Sequence, residues 1–209
     1  MSVISDEADL ARAVDILAGR EARFRSVLHR HGIPPLRRVP GGLESLLRIV
    51  TDQLISLQAG AAIWRRIEAR FDRLSSEQIA AVSEAELRAL GLSGAKARCF
   101  LAAARAALDF DHLHALPDEQ MKQALMTISG IGPWTADIYL LTAAGRADAW
   151  PAGDLALQIA AADLFELPAR PDAKAMQALA DAWRPYRSVA ARLLWSHYRS
   201  LKGMSQNVI

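Results

Sequence analysis

Apolar positions recur at three- and four-residue spacing along nearly the whole chain, the period of helices laid on a core. Pattern and composition predict helices over residues 6–17, 21–31 and 43–57. They predict an apolar stripe with basic residues between over 61–71, amphipathic helices over 96–108 and 173–183, and a last long helix over 187–201. Ser75 to Gln78 and Ser83 to Glu86 carry the capping-box signature, which starts two short helices. Gly32-Ile33-Pro34-Pro35 and Pro40-Gly41-Gly42 punctuate the pattern as loops. No alternating run is long enough for a strand. The expected fold class is all-α.

One interruption stands out. From Pro117 the helical pattern runs through Met121, Leu125 and Ile128, and Ser129-Gly130-Ile131-Gly132 then breaks it. Two glycines one residue apart permit positive φ and close backbone approach. Pro133 suits a first helical position, and a helical pattern resumes from Trp134 to Ala144. This is a helix-hairpin-helix over about residues 117–145. Free N–H groups at such a turn and helix start form an anion site fit for a phosphate. The turn alone is equally an ordinary connection between antiparallel helices.

Twenty positions after Trp134, Pro151-Ala152-Gly153-Asp154 precedes another helical stripe at Leu155, Ile159 and Leu164-Phe165. Asp is a favoured N-cap, so Asp154 reads as a structural cap. It also reads as a functional acid. The helix dipole and amide N–H groups stabilise the anion, and an ionised carboxylate can stabilise a sugar cation or activate water.

Together these segments resemble the helix-hairpin-helix (HhH-GPD) DNA glycosylases, and within them the short form of DNA-3-methyladenine glycosylase II. The likeness runs from about Leu43 to Trp195. Asp52-Gln53-Leu54-Ile55-Ser56 is similar to the family's first core helix and glutamine-containing turn. Gly91-Leu92-Ser93-Gly94-Ala95-Lys96-Ala97 resembles the loop and helix start that follow. The hairpin and Asp154 match next, and Trp183-Arg184-Pro185-Tyr186-Arg187-Ser188 with Trp195 resembles the alkylbase branch.

The resemblance implies a two-lobed helical bundle spanning residues 1–209 as a single unit, without the N-terminal sheet domain of longer relatives. It implies repair of alkylated double-stranded DNA by base excision. The target base is flipped from the stack, and the Asp154 carboxylate stabilises the sugar cation or activates water. Bifunctional members carry a lysine at the position of Trp134, whose amine forms a Schiff base and permits strand cleavage. An indole has no such nitrogen, so the reaction implied is hydrolysis of the N-glycosidic bond of alkylated purines such as 3-methyladenine, leaving an abasic site. A ring-alkylated purine is cationic, and a cation over an aromatic face gains roughly 0.5–2 kcal/mol. Trp134, Trp195 and Ile138 would line that pocket. Ile138 departs from the family, where a further aromatic is usual. The DNA contacts implied are Gln53, the wedge Leu54, Lys96, Gly130, Gly132 and Thr135. No cofactor is required. A monovalent cation, Na+ or K+, would bridge the hairpin to a phosphate through the backbone carbonyls of Met126, Ile128 and Ile131. Asp137, on the outgoing helix, reads as structural.

Composition changes the picture little. The single cysteine, Cys99, excludes within these residues a disulfide and the iron–sulfur cluster that some relatives carry. A net charge of +2 makes any electrostatic footprint local. Arg20, Arg23, Arg25, Arg30, Arg37 and Arg38 form one candidate patch, and Arg65, Arg66, Arg70 and Arg73 another. No stretch approaches the ~18 apolar residues of a membrane span, and the start lacks a signal sequence. A cytoplasmic monomer is expected, nucleoid-associated in a bacterium. The alternatives are a glycosylase for a deaminated or mismatched base, or a non-catalytic DNA-binding hairpin module.

Overall fold

The computed structural model describes residues 2–203. Their helices are α1 (Glu7–Arg20), α2 (Ala22–His31), α3 (Leu43–Asp52), α4 (Leu57–Arg70), α5 (Ser76–Ala80), α6 (Glu84–Ala89) and α7 (Gly94–Ala106). They continue with α8 (Phe110–Ala115), α9 (Asp118–Met126), α10 (Pro133–Thr142), α11 (Leu155–Leu164), α12 (Ala173–Ala180), a 3-10 turn (Asp181–Trp183) and α13 (Arg187–Leu201). The only β pairing among the described residues is an isolated bridge between Val3 and Arg146. The all-α expectation holds, and no helix among these residues is long and apolar enough to cross a membrane.

Local chemistry starts these helices. Ser56, Ser75, Ser83, Ser93, Asp154 and Asp172 each accept a backbone N–H of the first turn. Such a cap contributes about 1 kcal/mol. Ser83 and Glu86 make both halves of the capping box, whereas Ser75 accepts from the Gln78 amide only.

The helix expected over 43–57 is instead two helices. Val50, Leu54 and Leu57 keep the helical spacing, so the pattern runs on through a break at Gln53–Ser56. Leu54 is fully exposed there and serves no core. The short α8 was not expected.

The chain divides into two compact units. One takes the chain up to Arg38 and from Gly145 onward. In it α13 packs on α11, α2 and α1, around buried Leu10, Val14, Leu17, Phe24, Leu157, Val189 and Leu193. Trp183 centres an aromatic cluster, with Phe24 at 5.1 Å, Trp150 at 5.4 Å and Phe165 at 5.6 Å between ring centroids. The other unit is Val39–Ala144. There α3 packs on α4, α7 and α10, and α9 on α10, around buried Leu46, Leu47, Ile67, Phe100, Met121, Leu125 and Tyr139.

Candidate active site

The hairpin lies in the unit Val39–Ala144. Helix α9 ends at Met126, and α10 starts at Pro133 with Gly132 as N-cap and no side-chain cap. The turn closes through Ile131 N–H to the Ile128 carbonyl at 3.0 Å. Gly130 sits at φ +94, and a Cβ there would meet Cys99 Cβ at 2.9 Å and Sγ at 3.0 Å. Glycine is therefore required twice over, by backbone angle and by space. Gly132 differs, because nothing lies within 4 Å of a Cβ built on it. Burial pushes the Cys99 thiol up to about 11, so the group is inert at neutral pH.

The two arms of the hairpin are pinned together. Lys122 of α9 lies 2.8 Å from Asp137 of α10, whose side chain is almost wholly buried. This is the structural role expected of Asp137. Deeper along α10, the Tyr139 hydroxyl accepts the Gly42 N–H at 2.9 Å and lies 2.9 Å from His114 Nε2. Burial raises Tyr139 to about 12. Trp134 and Ile138, four residues apart, share one face of α10, and both are half-buried.

The turn between α3 and α4 carries Leu54. Its φ is +56, its side chain is 104% exposed, and Ile55 and Leu57 beside it are exposed as well. A left-handed conformation costs a residue such as leucine about 1–2 kcal/mol, so the turn must be held from outside. Gln53 Nε2 donates to Thr135 Oγ1 at 2.6 Å, which ties the turn to the first turn of α10. Lys96 Nζ donates to the carbonyls of Thr51 at 2.8 Å and Gln53 at 2.7 Å. Gln53, Thr135 and Lys96, expected as DNA contacts, are thus engaged within the protein. Lys96 closes the carbonyl end of α3, and its burial lowers the ammonium's pKa.

The acid lies in the other unit. Asp154 caps α11, and its Oδ1 accepts the Leu157 N–H at 3.0 Å. The same oxygen accepts Trp195 Nε1–H at 3.2 Å from α13. Asp154 and Trp195 are both half-buried. The two N–H groups fix the rotamer of the carboxylate and stabilise negative charge on Oδ1. The cap reading of Asp154 holds, and a cap bond leaves a carboxylate able to act electrostatically.

A positioning element was not foreseen. Arg187 of α13 grips Asp148 through Nε and Nη2, each at 2.9 Å, and Arg184 Nη1 adds a third bond at 2.8 Å. Trp150 Nε1 donates to the Met176 carbonyl at 3.2 Å. The segment that delivers Asp154 is therefore anchored at both Asp148 and Trp150. Both arginines belong to the motif already singled out, but nothing in the sequence named their partner.

A family model describing HhH-GPD superfamily base excision DNA repair proteins matches residues 47–185. The chain belongs to this superfamily. Among its HhH-GPD relatives is the alkylbase DNA glycosidase-like protein mag2 of Schizosaccharomyces pombe, 26% identical over 92% of this chain and 95% of that protein. The putative DNA-3-methyladenine glycosylase YfjP of Bacillus subtilis is 34% identical over 57% of this chain and 43% of its own length. Among solved structures, 3-methyladenine DNA glycosylase Mag1 of S. pombe in complex with abasic DNA superposes with a TM-score of 0.81. That match covers 95% of this chain and 100% of the other at 23% identity, which establishes the shared HhH-GPD fold.

Proposed function

We propose that this chain is a monofunctional DNA glycosylase. It hydrolyses the N-glycosidic bond of alkylated purines such as 3-methyladenine in double-stranded DNA and leaves an abasic site. The observation that carries this reading is the carboxylate of Asp154, held by the Leu157 amide and the Trp195 indole on one oxygen. A ring-alkylated purine is already cationic and leaves without protonation. The cost of the reaction then lies in the positive charge growing on the sugar, which a fixed carboxylate offsets. The two N–H bonds hold the carboxylate in one orientation, as electrostatic stabilisation of a sugar cation requires.

Names of the relatives support the alkylated-base assignment, since mag2 is described as alkylbase glycosidase-like and YfjP as a putative 3-methyladenine glycosylase. The indole at Trp134, second residue of α10, supplies no amine for a Schiff base. Trp134 and Trp195 would offer π faces to a cationic base, with aliphatic Ile138 shaping the range accepted. Gly130, Gly132 and the uncapped start of α10 would receive a phosphate, and Leu54 would fill the gap left by the flipped base. A monovalent cation on the carbonyls of Met126, Ile128 and Ile131 belongs to the same proposal. Ile128's carbonyl already accepts from Ile131 and retains a second lone pair for it. The protein acts as a monomer.

The test is release of bases from methylated duplex DNA, separated chromatographically, by wild type and Asp154→Asn. Release should fall roughly 10²–10³-fold in the variant with duplex affinity retained. Borohydride should trap no covalent adduct. Equal release by the two proteins, or a trapped adduct, would sink the reading. Release by neither would leave a DNA-binding hairpin module.

A further inference from the structure

The turn that presents Leu54 has a specific geometry. Gln53 sits at φ −58, ψ 131 and Leu54 follows at φ +56. These match three of the four central angles of a type II turn, whose third residue is ordinarily Gly or Asn. Type II differs from type I by rotation of one peptide plane, here the plane joining Gln53 to Leu54. Type I would return Leu54 to negative φ and suits a leucine better. Something must therefore hold the Gln53 carbonyl in the type II orientation.

Lys96 Nζ reaches that carbonyl at 2.7 Å and the Thr51 carbonyl at 2.8 Å. A single ammonium so brackets the end of α3 and pins the rotating plane. The Lys96 backbone is placed by Ser93, which caps α7 by accepting the Lys96 N–H at 3.4 Å. The Gln53 side chain is fixed separately through Thr135, which holds the residue but leaves the peptide plane after it to Lys96. Two of the three ammonium donors are used this way. A lysine serving mainly as a phosphate contact would extend to solvent instead of folding onto carbonyls.

We propose that Lys96 is the positioning residue of the DNA-probing turn, locking the Gln53–Leu54 peptide plane so that Leu54 projects fully exposed toward the duplex. The inference rests on the proposed glycosylase reading for its consequence, though not for its geometry. Without the lock the plane rotates, Leu54 falls back, and the space left by a flipped base goes unfilled.

The experiment compares wild type with Lys96→Met, Lys96→Arg and the double variant Leu54→Gly/Lys96→Met. Backbone chemical shifts of Gln53 and Leu54 are read in the free protein. Affinity for undamaged duplex is read as a function of salt. Base displacement is read by the fluorescence of 2-aminopurine placed beside a methylated base, with single-turnover release alongside. In Lys96→Met the Gln53 and Leu54 shifts should move to type I values. Displacement and release should fall at least about ten-fold, while the salt slope stays as in wild type. Lys96→Arg, which keeps donors in reach, should retain the wild-type shifts. Leu54→Gly should restore type II shifts in the Lys96→Met background, since glycine takes positive φ unaided, without restoring displacement. Unchanged shifts in Lys96→Met, or a salt slope lower by about 1, the mark of a lost phosphate contact, would overturn the proposal. If Lys96→Met does not fold, Lys96→Gln is read by the same criteria. A wild type that releases no base from methylated DNA refutes the glycosylase reading, while the shifts, measured without DNA, still decide the lock.

Discussion

The two hairpin glycines should respond oppositely to the same substitution. At Gly130, alanine meets two costs. A positive φ of +94 is strained for any residue with a Cβ, worth about 1–2 kcal/mol. The new methyl would also lie 2.9 Å from Cys99 Cβ and 3.0 Å from its sulfur. That Cβ is anchored to α7 and cannot swing away, so overpacking adds about 1–3 kcal/mol. The expected loss is about 3 kcal/mol, a fall in melting temperature of roughly 6–12 °C for a chain of this size. At Gly132, φ is −99 and a Cβ meets nothing within 4 Å. A small N-cap penalty there is offset by lower entropy of the unfolded chain, so stability should stay within about 1 kcal/mol. Urea unfolding, with the m-value checked for constancy, measures both. Gly130→Ala within about 1 kcal/mol of wild type would refute the steric argument. Cys99→Gly in the Gly130→Ala background should recover part of the loss, because it removes the opposing Cβ. Gly132→Ala should bind duplex DNA more weakly at native stability, and unchanged affinity would count against a phosphate at the start of α10.

Trp195→Phe removes the N–H that meets Asp154 Oδ1 at 3.2 Å. A bond to a charged group is worth about 1.5–3 kcal/mol, so single-turnover base release should slow by roughly 10–100-fold, and a wild-type rate would remove this indole from the mechanism. Arg187→Met breaks the two-pronged grip on Asp148, a pair whose two side chains are mostly buried. The loss should be about 1–3 kcal/mol in urea, and Arg187→Lys should recover little because the geometry needs a planar fork. His31 gives a pH dependence. Burial, then His197 and Arg30 nearby, lower its pKa from the ordinary 6.5. His197 is itself bonded to Asp163 at 2.7 Å. The unfolded chain therefore takes up a proton at higher pH than the folded one, and stability should rise with pH up to about 6.5 and fall below it. His31→Gln should flatten that slope below about pH 6.5, and an unaltered slope would assign it to another group.

Much of the fold was legible because helices are local objects. Period, caps and breakers lie within a few residues of one another, so the helices ending at His31 and Leu201, the capping box at Ser83 and the glycine hairpin could be read directly. The helix N-cap at Asp154 was legible for the same reason, since Pro-x-Gly-Asp before an apolar stripe is a local signal. The break after Asp52 was hidden because Leu54 keeps the helical spacing of Val50 and Leu57. An apolar residue in register reads as core, and only the folded chain reveals that this one faces outward.

What tertiary structure alone decided are the pairings between residues far apart in the chain. Lys96 could be read as a helix-end charge or a phosphate contact, and the carbonyls of Thr51 and Gln53 settle where its protons go. Arg187 and Asp148 are 39 positions apart, and Trp195 and Asp154 are 41. Periodicity carries no information over such separations, because it records which face of a helix is buried and not what that face meets. The sequence by itself determined an all-α chain with a glycine hairpin and one capped carboxylate. The tertiary structure decided that glycine at position 130 must clear a cysteine, that the carboxylate is held by an indole, and that a lysine restrains the exposed leucine's turn.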